Sequence, residues 1–138
     1  MNKNIVLDTN VLLTALRSSQ GTSFRLLSLL EHNQYKLHVS APLIAEYEDV
    51  LKRGHLVISD QAIDDVIDFI CAKAKHHKIF YLWRPTLKDP GDDFVLELAV
   101  KANASIVTWN TRDFRQASQF GIDILTPREF LTQLEENR

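Results

Sequence analysis

Five short runs of β-favouring residues alternate along this chain with stretches of helical periodicity, and that alternation limits the fold more than any other feature. Strands are expected at 3–8, 36–39, 78–82, 104–108 and 122–125. Helices are expected at 10–17, 22–33, 41–53, 59–77, 91–102 and 127–135, with a further short one near 113–119. Strands separated by helices pair parallel, through crossovers that cover both sheet faces. The run ASIVT is almost wholly apolar, as a strand covered on both faces requires. The expected fold is therefore an α/β, three-layer α/β/α sandwich around a central, mainly parallel sheet. With 138 residues and no linker rich in Gly, Ser or Pro, it is expected to form a single domain over 1–138.

Local chemistry agrees with several helix ends. Ser40 precedes APLIAEYEDVLKR, with Pro42 in the first turn, where a missing N–H costs nothing. Ser59 precedes the next helix, and Thr126 with Glu129 has the spacing of a capping box. Gly54 and Gly121 are placed to end helices. A chain of this length buries roughly two-thirds of its unfolded surface, so it needs no disulfide or metal to fold. The single cysteine, Cys71, sits in a helical pattern as a core residue and excludes a disulfide framework within the chain. No apolar run reaches the roughly 18 residues of a membrane span and no secretion signal opens the chain, so no membrane association and a cytoplasmic setting are expected.

In open parallel sheets the ligand crevice lies outside the carboxyl ends of the strands. Four separate segments deliver acids to that edge. Asp8 ends the first strand; Glu46 and Glu48 lie on the helix after Ser40; Asp92 and Asp93 open the helix before ASIVT; Asn110 and Asp113 follow ASIVT. Each acid has an ordinary structural explanation as a helix cap, a first-turn acid or a solvated helix residue. Their common edge is harder to explain that way, because converging carboxylates repel unless they share protons or a cation. Oxygen donors of this kind suit Mg2+ or Mn2+, and such ions serve phosphodiester hydrolysis. No His and Cys spacing for zinc and no Gly-rich phosphate loop is present. Helix phase leaves Glu46 and Glu48 equally far from the apolar stripe Leu43, Ile44, Tyr47, Val50 and Leu51, and it leans towards Asp92 over Asp93.

The segments IVLDTNVLL, SAPLIAEYEDVL, DPGDDFVLELAVKANASIVTWNTRDF and ILTPREFL together resemble a PIN domain, over about residues 4–131. The chain is most similar to the toxin component of bacterial toxin–antitoxin systems, the VapC-type ribonucleases. Carried over by position, that resemblance implies metal-binding and catalytic acids at Asp8, Glu46, Asp92 and Asp113. Glu46 takes this role through its AEY context, and Asp92 stands sixteen residues before Thr108. Thr9 and Asn10 are expected to brace Asp8, while Ser40 and Thr108 are small polar positions beside the site. The resemblance further implies a Mg2+- or Mn2+-dependent ribonuclease acting on an RNA substrate, a cognate antitoxin protein and a homodimer.

The net charge of −2 makes an empty acidic site repel phosphate, so RNA contacts are expected from Arg17, Arg84, Arg112 and Arg115. Trp83 and Trp109 offer aromatic surface for bases, although packing against a neighbouring helix is the simpler role for Trp109. Lys73, Lys75, His76, His77 and Lys78 read as the solvated end of a helix. Two other phosphoryl-transfer folds fit less well. A haloacid-dehalogenase-type hydrolase wants an acid where Asn10 stands, and a receiver domain wants an early acid pair and a late lysine. The non-enzymatic alternative is a catalytically silent PIN-like module that binds RNA or protein.

Overall fold

The computed structural model describes residues 3–78 and 90–136. Strands β1 (Asn4–Leu7), β2 (Lys36–Ser40), β3 (Lys75–His77), β4 (Ser105–Val107) and β5 (Ile124–Leu125) form one sheet in the order β3-β2-β1-β4-β5. Every pairing is parallel. The helices are α1 (Thr9–Arg17), α2 (Thr22–Glu31), α3 (Ala41–Leu51), α4 (Asp60–Lys73), α5 (Pro90–Ala102) and α6 (Pro127–Glu136), with a 3-10 helix over Thr111–Phe120. Steps from β1 to β2 and β2 to β3 run one way across the sheet, and β4 to β5 runs the other. For right-handed crossovers that puts their helices on opposite faces, giving the three-layer α/β/α sandwich.

The core is the apolar content of the central strands and the helix faces laid on them. Ile5, Val6, Leu7, Leu37, Val39, Ile106 and Val107 are buried, so β1, β2 and β4 are covered on both sides. The expected caps form. Ser40 Oγ accepts from Leu43 N, and Ser59 Oγ from Ala62 N. Thr126 and Glu129 bond each other's backbone N–H at 2.9 and 3.1 Å, a complete capping box. Gly121 adopts φ +73°, a left-handed conformation that ends the 3-10 helix at little steric cost.

One boundary differs from the sequence expectation. The helix expected over 59–77 ends at Lys73, Ala74 is extended, and Lys75–His77 form β3. The strand expected at 78–82 thus begins three residues earlier, and positions 79–82 lie outside the described residues. Lys75, His76 and His77 are therefore edge-strand residues and not a solvated helix end. The cause is the ladder with β2, in which Ser40 faces His77, reinforced by side chains. His38 Nδ1 meets His77 Nε2 at 2.8 Å, and His38 Nε2 meets Asn4 Oδ1 at 2.8 Å, tying β1, β2 and β3 together in one chain of contacts. His38 is buried, and burial, with help from the neighbouring His77, Lys75 and Lys36, holds its pKa down at about 4.

Candidate active site

The strand order reverses direction between β1 and β4, so the carboxyl ends of these two strands flank the topological switch point. Asp8 stands there. Its backbone N–H continues the sheet by bonding Val107 O at 3.0 Å, and its extended backbone makes it the N-cap of α1. The carboxylate is 8% exposed and both oxygens are engaged. Oδ1 accepts from Thr9 N and Oδ2 accepts from the Thr108 hydroxyl, each at 2.8 Å. Asp8 is thus a helix cap whose second carboxylate oxygen is held by a different element.

Thr108, fully buried just beyond β4, is the hub of this corner. While it donates to Asp8, its Oγ1 accepts from Asn110 N at 3.0 Å and, more weakly, from Asn10 Nδ2 at 3.4 Å. Asn10 Oδ1 also accepts from Trp109 N at 3.3 Å, so Asn10 and Thr108 together clamp the loop after β4 onto the start of α1. Thr9 braces Asp8 through its own N–H, and Asn10 braces it through Thr108.

The second acid is fixed by its neighbour. Tyr47 is wholly buried and its hydroxyl donates to Leu7 O at 2.5 Å, which presses the middle of α3 against the end of β1. Burial first, and then the Asp8 charge, push the Tyr47 hydroxyl pKa well above its ordinary value. Glu46, adjacent to Tyr47, is half-buried, whereas Glu48 is exposed and paired with Lys52 at 3.3 Å.

Asp92 and Asp93 open α5, which packs against β1, β2, β4, α3 and the 3-10 helix. Asp93 is the more buried of the two, at 7% exposure, and Asp92 is half-buried. Glu97, one turn beyond Asp93, is buried as well and was not anticipated. Its signal in the sequence was an acid set between Leu96 and Leu98 in an otherwise apolar turn. Asp113 lies in the first turn of the 3-10 helix, exposed, its N–H bonded to Asn110 O at 3.0 Å.

The elements carrying Asp8, Glu46, Asp92 and Asp113 therefore adjoin one another. Among the described residues, no three His, Cys, Asp or Glu side chains stand close enough together to form a ready-made metal cage. A hard, hydrated cation asks for fewer, since Mg2+ keeps several waters and takes one or two carboxylates. The donors at this edge are carboxylates, amides and hydroxyls, a hard oxygen-donor set of the kind that suits Mg2+ or Mn2+.

Of the basic residues expected nearby, Arg112 and Arg115 are exposed on the 3-10 helix beside Asp113. Arg17 is exposed at the end of α1, about 13 Å along the helix axis from Asp8. Trp83 and Arg84 lie outside the described residues. No described helix is long and apolar enough to cross a membrane.

A family model described as PIN domain matches residues 4–112, a span that contains Asp8, Glu46 and Asp92 and stops one residue before Asp113. Among solved structures, the chain is similar to one in the crystal structure of VapBC2 from Rickettsia felis bound to a DNA fragment from their promoter. That similarity has a TM-score of 0.63 at 14% sequence identity, covering 89% of this chain and 98% of the other. No curated protein matches the chain.

Proposed function

The chain belongs to the PIN domain family, and from that premise we propose that it is a divalent-metal-dependent endoribonuclease, the toxin component of a toxin–antitoxin pair. The observation that carries this reading is Asp8: a carboxylate at the switch point of a parallel sheet, with both oxygens oriented by donors from two different elements. A lone helix cap needs one such bond; the second, from Thr108, fixes the plane of the carboxylate.

Asp8, Glu46, Asp92 and Asp113 are the residues that would hold Mg2+ or Mn2+. Such an ion supplies the positive charge and the activated water that phosphodiester hydrolysis requires. The chain's own residues do the rest. Thr9 N–H and the Thr108 hydroxyl keep the Asp8 carboxyl aligned, and Tyr47 keeps α3, and with it Glu46, against the strand end. The exposed Asp113 and Arg112 form the rim over which the RNA backbone passes. The likeness to a chain of the VapBC2 complex supports an antitoxin protein as partner; a homodimer and a cytoplasmic setting are part of the same proposal.

The absence of a three-carboxylate cage among the described residues favours a second reading, a PIN-like module that binds RNA or protein without cutting. Purified protein incubated with RNA separates the two. The nuclease cuts with Mg2+ or Mn2+, stops with EDTA, and loses activity on Asp8→Asn. RNA left intact under all metal conditions would establish the silent module instead.

A further inference from the structure

Trp109 is an exposed aromatic side chain beside this site, and several interactions orient it. Its indole N–H donates to Ser23 Oγ at 2.8 Å and to Thr14 Oγ1 at 3.1 Å. Those hydroxyls belong to α2 and α1 and contact each other at 2.7 Å. Thr14 Oγ1 is itself held by the Asn10 and Val11 carbonyls. The backbone N–H of Trp109 is anchored by Asn10. With its edge held in this way, the side chain remains 37% exposed. It forms one wall of a shallow cavity of about 410 Å3 with Asn110, Thr111, Arg112 and Asp113. The preceding residue is Thr108, which bonds Asp8 directly.

We propose that Trp109 is a nucleobase platform, on which one base of a single-stranded RNA stacks beside the scissile phosphate. The inference rests on the ribonuclease reading for its substrate, and it adds a base-binding surface at the rim of the acidic cluster, next to Asp113. An indole edge pinned by two hydroxyls leaves the ring no rotational freedom to lose on binding, so a stack on its open face costs little ordering entropy. Asn110, exposed next to it, makes no side-chain cap bond to the 3-10 helix, and its amide offers both a donor and an acceptor to a base edge. Arg112 on the same cavity supplies a cation for the adjoining phosphate. A base fits this site because its faces are apolar and its edges polar, matching the ring on one side and the amide on the other.

The test uses the full chain with Trp83→Phe, which leaves Trp109 as the only tryptophan of the two, and with Asp8→Asn to stop cleavage. Titration with a short single-stranded RNA should lower Trp109 emission saturably, following the same isotherm as the anisotropy of a labelled RNA. Inorganic polyphosphate of equal charge should leave the emission unchanged. In the otherwise native chain, Trp109→Leu should raise KM about tenfold with little change in kcat, as loss of one base–aromatic stack predicts, and Trp109→Phe should retain most of the affinity. Unchanged emission at saturating RNA, absence of RNA binding, or an unaltered KM in a folded Trp109→Leu variant would overturn the proposal. Quenching by RNA in a protein that never cleaves would leave the platform standing and remove the ribonuclease reading instead.

Discussion

Thr108→Val isolates the feature on which the site depends. The substitution keeps volume and branching and deletes one hydroxyl. That hydroxyl donates to a carboxylate oxygen of Asp8 at 2.8 Å and accepts from Asn110 N at 3.0 Å. The Asn110 N–H is on an exposed residue and can turn to water, so its loss is minor. Asp8 is 8% exposed and cannot replace its donor so easily. A hydrogen bond to a charged group contributes about 1.5–3 kcal/mol, and the buried acceptor left behind keeps the total near the upper end, about 2–3 kcal/mol. For a chain of this size each kcal/mol corresponds to roughly 3–5 °C in Tm, so thermal unfolding should fall by about 10 °C. Under the ribonuclease reading the same change should weaken divalent-ion binding by about 10- to 100-fold, since Asp8 loses its alignment. Circular-dichroism melts and Mn2+ titration calorimetry provide the two readouts. A variant melting within about 2 °C of the parent would show that Thr108 does not hold Asp8, and the orienting role given to it would be wrong.

Tyr47→Phe removes the donor to Leu7 O inside the core and should cost about 1–2 kcal/mol in urea unfolding; an unchanged midpoint would detach α3 from the strand end. The His38 pKa is lowered to about 4 in the folded chain, below its unfolded value near 6.5. The unfolded state then binds the extra proton, so stability is complete above about pH 6.5 and declines as pH falls towards 4. His38→Asn should flatten that decline relative to the parent in urea midpoints from pH 7 to 4.5, and parallel profiles would refute it. Mg2+ at a hundredfold excess over its Kd should raise stability by about 2.7 kcal/mol, and Asp8→Asn should abolish the gain; an equal gain in the variant would place the ion elsewhere. Cleavage of RNA should weaken steeply between 50 and 200 mM salt, and a flat response would exclude phosphate contacts from Arg112 and Arg115.

Much of this arrangement is legible in the chain because it is set by local chemistry. Asp8 follows three apolar β-formers and precedes a helical pattern, so its place at a strand end requires no tertiary information. Ser40, Ser59 and the Thr126–Glu129 pair mark helix starts by side-chain bonds spanning three residues. The failures arise where distant contacts decide. KHH has neither the apolar content nor the alternation of a strand, and it becomes β3 only because β2 offers a ladder and His38 a partner for His77. Phase leans towards Asp92 but does not predict which acid is more buried, because α5 is buried almost all round: Leu96 and Glu97 are as hidden as Leu98 and Ala99. Trp109 illustrates the opposite case, a residue whose packing and accessible roles coexist. Nothing in TWN announces that hydroxyls from two other helices will grip its edge and leave its face open.

Anomalous diffraction from crystals of the chain grown with Mn2+ decides the matter most directly. A single strong peak in direct coordination distance of an Asp8 carboxylate oxygen, with Glu46, Asp92 or Asp113 reaching it directly or through water, is the expected result. No peak at Asp8 in crystals saturated with Mn2+, or an ion held by a different set of residues, would contradict a metal-dependent nuclease built on this edge.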